Sequence, residues 1–570
     1  MLIPIAALIV AAPLLLGGCS CGHDFDFHLV SWFEAAAQFR AGGGHPQWAF
    51  SPAWNAGEPR FVFYPPLSWT VGAVLGMVLP WSWVPQIYTW LALVAAGLGM
   101  YRLGRVFAGE WAAALAAMVY VANPYMVFTA YERTAYAELL AAAWIPLLLA
   151  GVLRRRVTVL GVAVPVALLW LTNAPAAVMG CYALGVVWVV RGVVLAREQV
   201  GGAVEDSGAV EDGCVGRFAA KTVAGVALGL GLAAFYVVPA AYERRWVEIA
   251  MAMVEGMRIG DNFLFHHTAD ALHDEVLRTA SWIALGMLGA TAGVLGWTVW
   301  AGDRARRGTA GLVSLGILTG GIGILLTPVS AAVWRVAPEM AFLQFPWRLV
   351  AVLAAVLGAG IAMALAQMEG RRGHLRSGWV GVGGMVLVAA MSWPAAHGFW
   401  QACDEEDTVA ARLAVFQAKA GTDATDEYTP KDADNDVLGH ANPPYWLGTN
   451  ADAAAPAGAR AGQAERRFTA ASREAQMLVL NLRAYPAWRV RVNGAEVPAR
   501  SERADGLIAV TVPKGAVRVE IAWVRTRDAA VGWWISGVSG TLALGMMGMG
   551  WRRRYGARLP EGRRSVMIES

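Results

Sequence analysis

The sequence predicts a polytopic α-helical membrane protein that carries a small extracytoplasmic β-sandwich domain before its last helix. Of the 570 residues, 57% are hydrophobic and only 15% are charged, whereas an ordinary soluble domain has roughly 25% charged residues. The mean hydropathy is +0.46. Apolar runs close to the roughly 20 residues that cross a bilayer recur along most of the chain. These observations exclude a soluble enzyme with a long tail.

The apolar runs predict about 12 or 13 membrane helices in an arrangement with alternating orientation. The predicted spans are 2–18, 86–102, 111–130, 137–153, 157–172, 175–191, 221–241, 280–301, 309–330, 347–368, 378–399 and 530–550. The first run lacks the basic segment of a secretory signal, which favours an uncleaved helix. A shorter run covers 67–83. Full crossing there would turn Arg102 and Arg105 outward, so we interpret this run as a re-entrant or partly embedded helix.

Arginine clusters in the short connections predict the orientation of the chain, because such clusters stay on the cytoplasmic side. The clusters comprise Arg102 and Arg105; Arg154, Arg155 and Arg156; Arg191, Arg197, Arg217 and Lys221; Arg304, Arg306 and Arg307; Arg371, Arg372 and Arg376; and the tail from Arg552 to Arg554. The exported segments are then 19–66, 130–136, 242–279, 331–346 and 400–529. We therefore predict a multi-pass protein of the bacterial inner (cytoplasmic) membrane whose functional site is extracytoplasmic.

Composition divides the chain further. We predict a membrane module at 1–400, an acidic and polar extracytoplasmic linker at 401–465, a β domain at 466–529, a final helix at 530–551 and a basic cytoplasmic tail at 552–570. In the β domain, Arg489, Val490, Arg491 and Val492 alternate with the period of a strand, and Asn493-Gly494 follows as a type I′ hairpin signal. The five cysteines are too few and too scattered to predict a disulfide scaffold.

The first exported segment contains acids beside a membrane helix. Asp24 and Asp26 follow the first span directly, where an unpaired carboxylate is costly and needs a partner or a task. Two such acids could hold a divalent cation, or one could act as a general base that the other orients. An ordinary polar helix terminus is the alternative. Further along, Glu34 and Gln38 stand at i, i+4 on a predicted interfacial helix.

Charged residues in two other exported loops allow structural and functional interpretations. Glu132 and Arg133 could pair at a helix end or could face Asp24 across one cavity. Arg348 precedes a span, where it could extend to the lipid headgroups. It could equally bind the phosphate of a lipid-linked substrate through two parallel hydrogen bonds.

A histidine-rich stretch in the loop 242–279 is compatible with a metal site. On a helix, His266, Asp270 and His273 would share one face at i, i+4 and i+7. Such a set suits zinc or manganese. A mixed polar amphipathic helix is the commoner occurrence of this pattern, and we keep both interpretations.

These motifs resemble known families. The first helix, the early acid in the outer loop, the Tyr64-Pro65-Pro66 entry to the next segment and the acidic second outer loop are together similar to the C-type fold of membrane glycosyltransferases. More closely, they resemble bacterial multi-pass proteins labelled 6-pyruvoyl-tetrahydropterin synthase-related. The motifs of that resemblance are Gly22-His23-Asp24 with His28, Phe63 to Pro66, Tyr131 to Glu138, and Gln344 to Arg348. The run from Tyr485 to Gly494 resembles the C-terminal β domain of membrane proteins implicated in envelope glycosylation.

The resemblance implies roles for these residues. Asp24 would take the acceptor proton, Asp26 would support it or bind a metal such as Mg²⁺ or Mn²⁺, and Glu132 or Glu138 would complete the acidic cluster. Arg348 and Arg133 would hold the departing lipid phosphate. Further substrate contacts are expected from His23, His28, Glu34 and Tyr64. Asn173 stands where similar proteins have histidine. The three-histidine zinc site and nucleophilic cysteine of a soluble pterin synthase have no counterpart in the sequence.

Three hypotheses follow. The leading one is an enzyme that moves a sugar from a polyprenyl phosphate to an envelope glycan or protein acceptor on the outer face. The second is a non-catalytic transporter or assembly factor for lipid-linked glycans. The third is a structural envelope protein whose β domain binds glycan. Membrane lipids are expected partners of each. Nucleic acid is not, because no basic segment lies apart from the membrane runs.

Overall fold

The computed structural model describes residues 1–200, 215–302, 309–372, 377–448, 462–499 and 501–556. Four predicted features therefore lie outside the described residues: the cytoplasmic cluster at 304–307, Arg376, the segment 449–461 of the linker and the basic tail beyond residue 556. The rest of the chain forms a large helical bundle and a small β domain. Both kinds of structure are predicted from the sequence.

Twenty α-helices are described. They are α1 Leu2–Gly17, α2 Phe25–Arg40, α3 Arg60–Phe63, α4 Pro66–Val78, α5 Val84–Phe107, α6 Glu110–Ala122, α7 Pro124–Tyr131, α8 Tyr136–Ala141, α9 Trp144–Leu153, α10 Val159–Thr172, α11 Ala174–Val200, α12 Val215–Leu232, α13 Ala234–Glu243, α14 Ala271–Ala301, α15 Thr309–Leu325, α16 Ala331–Val336, α17 Val350–Arg372, α18 Ser377–Gly398, α19 Val409–Ala418 and α20 Arg527–Gly556.

Length and composition make this a multi-pass membrane protein. Among the described residues, seven helical segments are long and apolar enough to cross a membrane, and two bent pairs raise the number to nine. The seven are Trp81–Phe107, Tyr136–Leu153, Ala174–Gln199, Val215–Leu232, Ala271–Ala301, Pro346–Glu369 and Arg527–Met549; the bent pairs are Glu110–Ala122 with Pro124–Tyr131 and Ala310–Leu325 with Pro328–Val336. Helix α4 has 13 residues, or about 20 Å, against the roughly 30 Å of a hydrocarbon core. The re-entrant interpretation of 67–83 stays a prediction.

The first helix lies inside the bundle. It packs against α5, α6 and α18, and Ala6, Ala7, Val10 and Ala11 on it are fully buried. These small side chains allow close approach between helices, which is how helices associate where the surrounding lipid is as apolar as they are. The hydroxyl of Tyr131 also donates to the carbonyl of Val10 at 2.6 Å. The middle of α1 is thereby tied to the start of the second outer loop.

The β domain consists of two antiparallel sheets, with strand orders β1-β3-β6 and β2-β7-β4-β5. The strands are β1 Tyr445–Leu447, β2 Arg467–Ser472, β3 Gln476–Arg483, β4 Trp488–Val492, β5 Ala495–Val497, β6 Leu507–Val512 and β7 Gly515–Trp523. The predicted hairpin is confirmed: Val492 pairs with Ala495, and Asn493 and Gly494 between them have φ of 50° and 84°. Positive φ at both central residues is what a type I′ turn requires.

The segment predicted as a linker is more structured than expected. Its strand β1 pairs with β3, so the sheet begins before residue 466, and its helix α19 packs against α2. A polar, Ala- and Gly-rich composition indicated an irregular segment, but the neighbouring elements supply the contacts that order it. Cys21 and Cys403 form a disulfide that joins the start of this region to the loop after α1. The scattered cysteine positions had not predicted this bond.

Candidate active site

The segments predicted to be exported meet around one cavity of about 660 Å³. Its lining comes from the loop and helix after α1, the loop before α8, the α10–α11 connection, α13, the loop before α17 and the predicted linker. The lining includes Asp24, His28, Tyr64, Arg133, Glu138, Asn173, Val178, Tyr236, Arg244, Glu339, Leu343, Arg348, Glu427 and Tyr428. Residues more than 400 positions apart therefore face the same space.

Asp24 enters this cavity at the N-terminus of α2. Its backbone N–H donates to the carbonyl of Arg133 at 2.9 Å, and a side chain in place of Gly22 would collide with the backbone of Glu132. The close approach that glycine allows thus holds the first outer loop against the second. The Asp24 carboxylate lies 3.7 Å from Arg133 Nη2, and its side chain is 43% exposed. The Asp24 carboxylate therefore has one cationic neighbour, and part of it remains accessible from the cavity.

Two arginines share a single buried carboxylate in the wall of the cavity. Arg133 Nη1 lies 2.7 Å from Glu138 Oε2, and Arg348 Nε lies 3.7 Å from the same oxygen. The other oxygen of Glu138 accepts a hydrogen bond from the hydroxyl of Tyr125. Burial alone would lower the pKa of Arg133, but Glu138 and Asp24 raise it above its ordinary value. The guanidinium is therefore charged at any physiological pH.

Aromatic rings fix the directions of both guanidinium groups. Arg133 lies 4.8 Å from the ring centre of Trp347, and Arg348 lies 4.8 Å from that of Phe345. Arg348 also donates to the carbonyl of Leu343 at 2.9 Å. Stacking and hydrogen bonding of this kind hold a planar guanidinium in one orientation. The cationic groups are therefore oriented before any ligand enters.

The turn that presents Arg133 has an unusual backbone. Thr134 has φ of 46°, which is rare for a β-branched residue. Its hydroxyl donates to the carbonyl of Arg133 at 2.7 Å. Such conformations cost of order 1–3 kcal/mol and cluster at functional sites.

His28 and Tyr64 form part of the cavity wall. The ring centres of His28 and Tyr64 are 5.8 Å apart, and those of His28 and Tyr136 are 5.4 Å apart. Burial lowers the pKa of His28 to about 4, so the imidazole is neutral near pH 7. Its Nδ1 has no hydrogen-bond partner among the described residues. His28 can therefore donate or accept one hydrogen bond to a ligand without changing its charge.

Several predicted site residues lie elsewhere. Asp26 points away from the cavity and lies 2.9 Å from Arg412 Nε, because residues two apart on a helix project in nearly opposite directions. Glu132 accepts from Gln401 Nε2 at 2.8 Å and lies 3.9 Å from Nε2 of the half-exposed His23. Asp26, Glu132 and His23 do not line the cavity.

Glu34 is a structural residue rather than a substrate contact. It is 3% exposed, and one of its oxygens accepts from the backbone N–H of Phe50 at 3.0 Å and from the hydroxyl of Ser51 at 2.6 Å. The i, i+4 spacing had placed it on a helix face correctly. The loop after α2 covers that face, and the Glu34 carboxylate accepts hydrogen bonds from the N–H and hydroxyl groups of this loop.

Among the described residues, the side chains that the sequence suggested as metal ligands are not grouped together. Helix α14 begins at Ala271, with Asp270 as its cap accepting from the N–H of Leu272 at 2.9 Å, so His266 lies before the helix and not on its face. His273 Nε2 instead contacts Asn262 Oδ1 at 2.7 Å. Within the described ranges, no three His, Cys, Asp or Glu side chains are grouped to hold an ion. Because Asp24 and Asp26 have different arginine partners, they do not fit a shared Mg²⁺ or Mn²⁺, and no step is assigned to a metal.

The structure adds residues that the sequence did not single out. Glu427 and Tyr428 reach the cavity from the predicted linker, and Arg244 and Glu339 form an exposed ion pair of 3.2 Å at its edge. Asn173, which the sequence comparison had already singled out, also lines the cavity. Linear spacing carries no signal for Glu427, since its acidic surroundings are typical of a solvated segment.

One wall of the cavity is apolar. It is formed by Val178 on α11, by Val237, Ala240 and Ala241 on α13, and by Leu343. Helix α11 belongs to a segment that is long and apolar enough to cross the membrane. A cavity with charged groups on one side and membrane-helix side chains on another can hold an amphipathic ligand.

Comparison with known proteins returns only distant structural similarity. No protein-family model matches the chain, and no curated protein matches it. Arabinofuranosyltransferase AftD from Mycobacteria aligns with 15% identity and a TM-score of 0.43 over 92% of this chain and 40% of its own. ArnT from Cupriavidus metallidurans, determined bound to undecaprenyl phosphate, aligns with 15% identity and a TM-score of 0.27 over 65% of this chain and 77% of its own. The chain thus spans about two fifths of the length of AftD. The 6-pyruvoyl-tetrahydropterin synthase-related label finds no support in these matches.

Proposed function

We propose that the chain is an integral-membrane glycosyltransferase of the C-type fold, which transfers a hexose or pentose from a polyprenyl phosphate to a cell-envelope acceptor on the extracytoplasmic face. The proposal rests on the set of side chains that line the cavity. Asp24, Arg133 and Arg348 face one space that also has an apolar wall. Transfer from a lipid-linked sugar phosphate needs a base for the acceptor, cations for the phosphate and an apolar surface for the lipid.

The two arginines suit the leaving group. As the bond between the anomeric carbon and the phosphate oxygen breaks, negative charge grows on the phosphate. Arg133 and Arg348 are already oriented by Glu138 and their aromatic neighbours, so they can stabilise that charge with little rearrangement. In this proposal Glu138 is a positioning residue rather than a catalytic acid, because Arg133 and Tyr125 occupy its oxygens.

Asp24 suits the role of general base. A hydroxyl of the acceptor attacks the anomeric carbon, a new glycosidic bond forms, the bond to phosphate breaks, and the hydroxyl proton passes to Asp24. A positioned carboxylate contributes to such a step by accepting the proton as the nucleophile attacks. Of the acids predicted in the first loop, Asp24 is the one that lines the cavity.

Two observations support the side of the membrane that we propose. The cavity is lined by the segments that the positive-inside rule places outside, and the Cys21–Cys403 disulfide lies in the same region of the chain. Disulfides persist in oxidising compartments and are rare in the cytosol. Both observations support a site on the outer face of a bacterial inner membrane.

Binding of a lipid phosphate provides the first test. Purified full-length protein is titrated with a polyprenyl phosphate that carries no sugar. Arg348→Ala should weaken binding by roughly ten- to a hundredfold, the value of hydrogen bonds to a charged group. The control is Arg335→Ala, since Arg335 is exposed on the nearby helix α16 and does not line the cavity. Wild-type protein that does not bind polyprenyl phosphate would contradict the proposal.

Sugar transfer is the second test. Membranes containing the protein are incubated with polyprenyl phosphates that carry radiolabelled hexoses or pentoses, and label in envelope glycan or protein is measured. Transfer distinguishes the enzyme from a transporter or assembly factor, which would bind the same lipid without moving label to an acceptor.

A further inference from the structure

Among the described residues, Glu427 is the acid of the cavity lining that forms no ion pair. Among the other charged lining residues, Asp24 and Glu138 face Arg133 and Arg348, while Arg244 pairs with Glu339. Within the described part of the chain, the Glu427 carboxylate forms no ion pair, and its one hydrogen bond is to its own backbone. The cavity therefore contains a carboxylate whose acceptor capacity remains available to a ligand.

A buried ion pair holds the segment that carries Glu427. Arg60 Nε donates to Glu58 Oε1 at 2.7 Å, and the exposures of the two side chains are 5% and 0%. The other Glu58 oxygen accepts from the backbone N–H of Thr425 at 2.8 Å. Arg60 also reaches the hydroxyl of Thr425 at 3.2 Å. The first outer loop thus fixes the backbone two residues before Glu427.

The other side of this segment is fixed by backbone pairing. The N–H of Glu248 donates to the carbonyl of Thr429 at 2.9 Å, and the N–H of Lys431 donates to the carbonyl of Trp246 at 2.9 Å. The ring of Tyr428 stacks on Phe63 at 5.8 Å and 11°. The backbone on both sides of Glu427 is therefore held by hydrogen bonds within the protein, and its position does not depend on a ligand.

The chemistry of a lone carboxylate limits what it can bind here. It repels phosphate, which has the same charge, and it accepts hydrogen bonds from hydroxyl groups. In the proposed reaction the phosphate lies at Arg133 and Arg348 and the acceptor hydroxyl at Asp24. The remaining polar part of the reactants is the ring of the donor sugar, which is attached to the phosphate and carries several hydroxyls.

We propose that Glu427 binds hydroxyl groups of the donor sugar and so distinguishes a sugar-linked polyprenyl phosphate from the bare lipid phosphate. This inference rests on the proposed function. Residues 425–430 of the predicted linker would then form part of the substrate site.

Paired titrations test the assignment. Full-length wild-type, Glu427→Gln and Glu406→Gln proteins are titrated with polyprenyl phosphate that carries a pentofuranose, a hexopyranose or no sugar. Glu406 is an exposed acid of the same region, so Glu406→Gln controls for the loss of charge. Glu427→Gln should bind the preferred sugar-linked lipid about tenfold more weakly, the order expected for hydrogen bonds to a charged acceptor. It should bind the bare lipid as the wild type does.

The outcomes separate this inference from the proposed function. Equal loss of binding for bare and sugar-linked lipids, or no loss for either, would overturn the assignment of Glu427 and leave the lipid phosphate site standing. Wild-type protein that binds neither lipid would overturn both. Unchanged binding of bare lipid also shows that the variant is folded, so a selective loss cannot come from unfolding.

Discussion

Arg133 and Glu138 form an ion pair of 2.7 Å in which both side chains are nearly inaccessible to solvent, at 6% and 5% exposure. They are five positions apart in the sequence, and the left-handed turn at Thr134 lies between them. Glu138 also faces Arg348, which comes from a helix more than 200 residues away. One carboxylate thereby sets the positions of the two cations that we assign to the lipid phosphate.

Glu138→Gln should destabilise the protein by about 3–5 kcal/mol, because removing one member of a buried pair leaves the other charge without compensation. The measurement is thermal unfolding of the purified protein in one detergent. Glu275→Gln, at an exposed position, should have no comparable effect. Equal unfolding temperatures for wild type and Glu138→Gln would show that the pair does not hold the site together.

Asp24→Asn should reduce sugar transfer by at least about a hundredfold, because a general base contributes of order 10²–10⁴ to the rate. Asp26→Asn serves as the matched control, since Asp26 faces Arg412 outside the cavity. The readout is initial rate at saturating polyprenyl-phosphate sugar. If both variants lose activity equally, the distinction that the structure draws between these acids is wrong.

Cys403→Ser should lower the free energy of unfolding by about 2–5 kcal/mol, the usual effect of removing a native disulfide. The bond closes a loop between residues separated by 382 positions. Thermal unfolding under oxidising conditions measures the change. Cys181→Ser, which removes a free thiol, is the control, and a reductant should affect the wild type but not Cys403→Ser.

Glu243 should make stability depend on pH near neutrality. Its carboxylate, which is 2% exposed, accepts from Tyr485 of the β domain and, at 2.8 Å, from Thr526 before the last helix. Burial raises its pKa from 4.5 to about 7. The folded state therefore binds more protons than the unfolded state between these values, and its stability falls as pH rises from 4.5 to 7, by about 3 kcal/mol in total.

The unfolding temperature measured between pH 5 and pH 8 tests this relationship. Glu243→Gln mimics the protonated side chain, so its profile should be flatter than that of the wild type over this range. Glu275→Gln should retain the wild-type slope. A wild-type profile that rises through the same interval would contradict the assigned direction of the pKa shift.

Local patterns in the sequence predicted several elements correctly for physical reasons that act over short distances. Apolar runs of spanning length predicted membrane helices because each helix satisfies its own backbone hydrogen bonds in lipid. The Asn493-Gly494 pair predicted its hairpin because few residues tolerate positive φ at two successive positions. The positive-inside rule predicted which segments are exported, and each of these predicted segments contributes residues to the cavity lining.

Spacing alone could not decide which side chains meet. It left Asp24 and Asp26 equivalent, placed His266 on a helix that begins five residues later, and gave Glu34 the appearance of a site residue. The partners that decide these cases are distant in the chain: Arg412 for Asp26, and Ser51 on the returning loop for Glu34.

The sequence by itself determined the membrane class and the presence of a β domain, because each depends on composition or on neighbours a few residues apart. Only the tertiary structure brought Glu427 to the cavity and Cys21 to Cys403. It also distinguished Asp24, which lines the cavity, from Asp26 and Glu34, which do not. These relationships depend on packing between distant elements, which fixes where each side chain points and which charges neutralise one another.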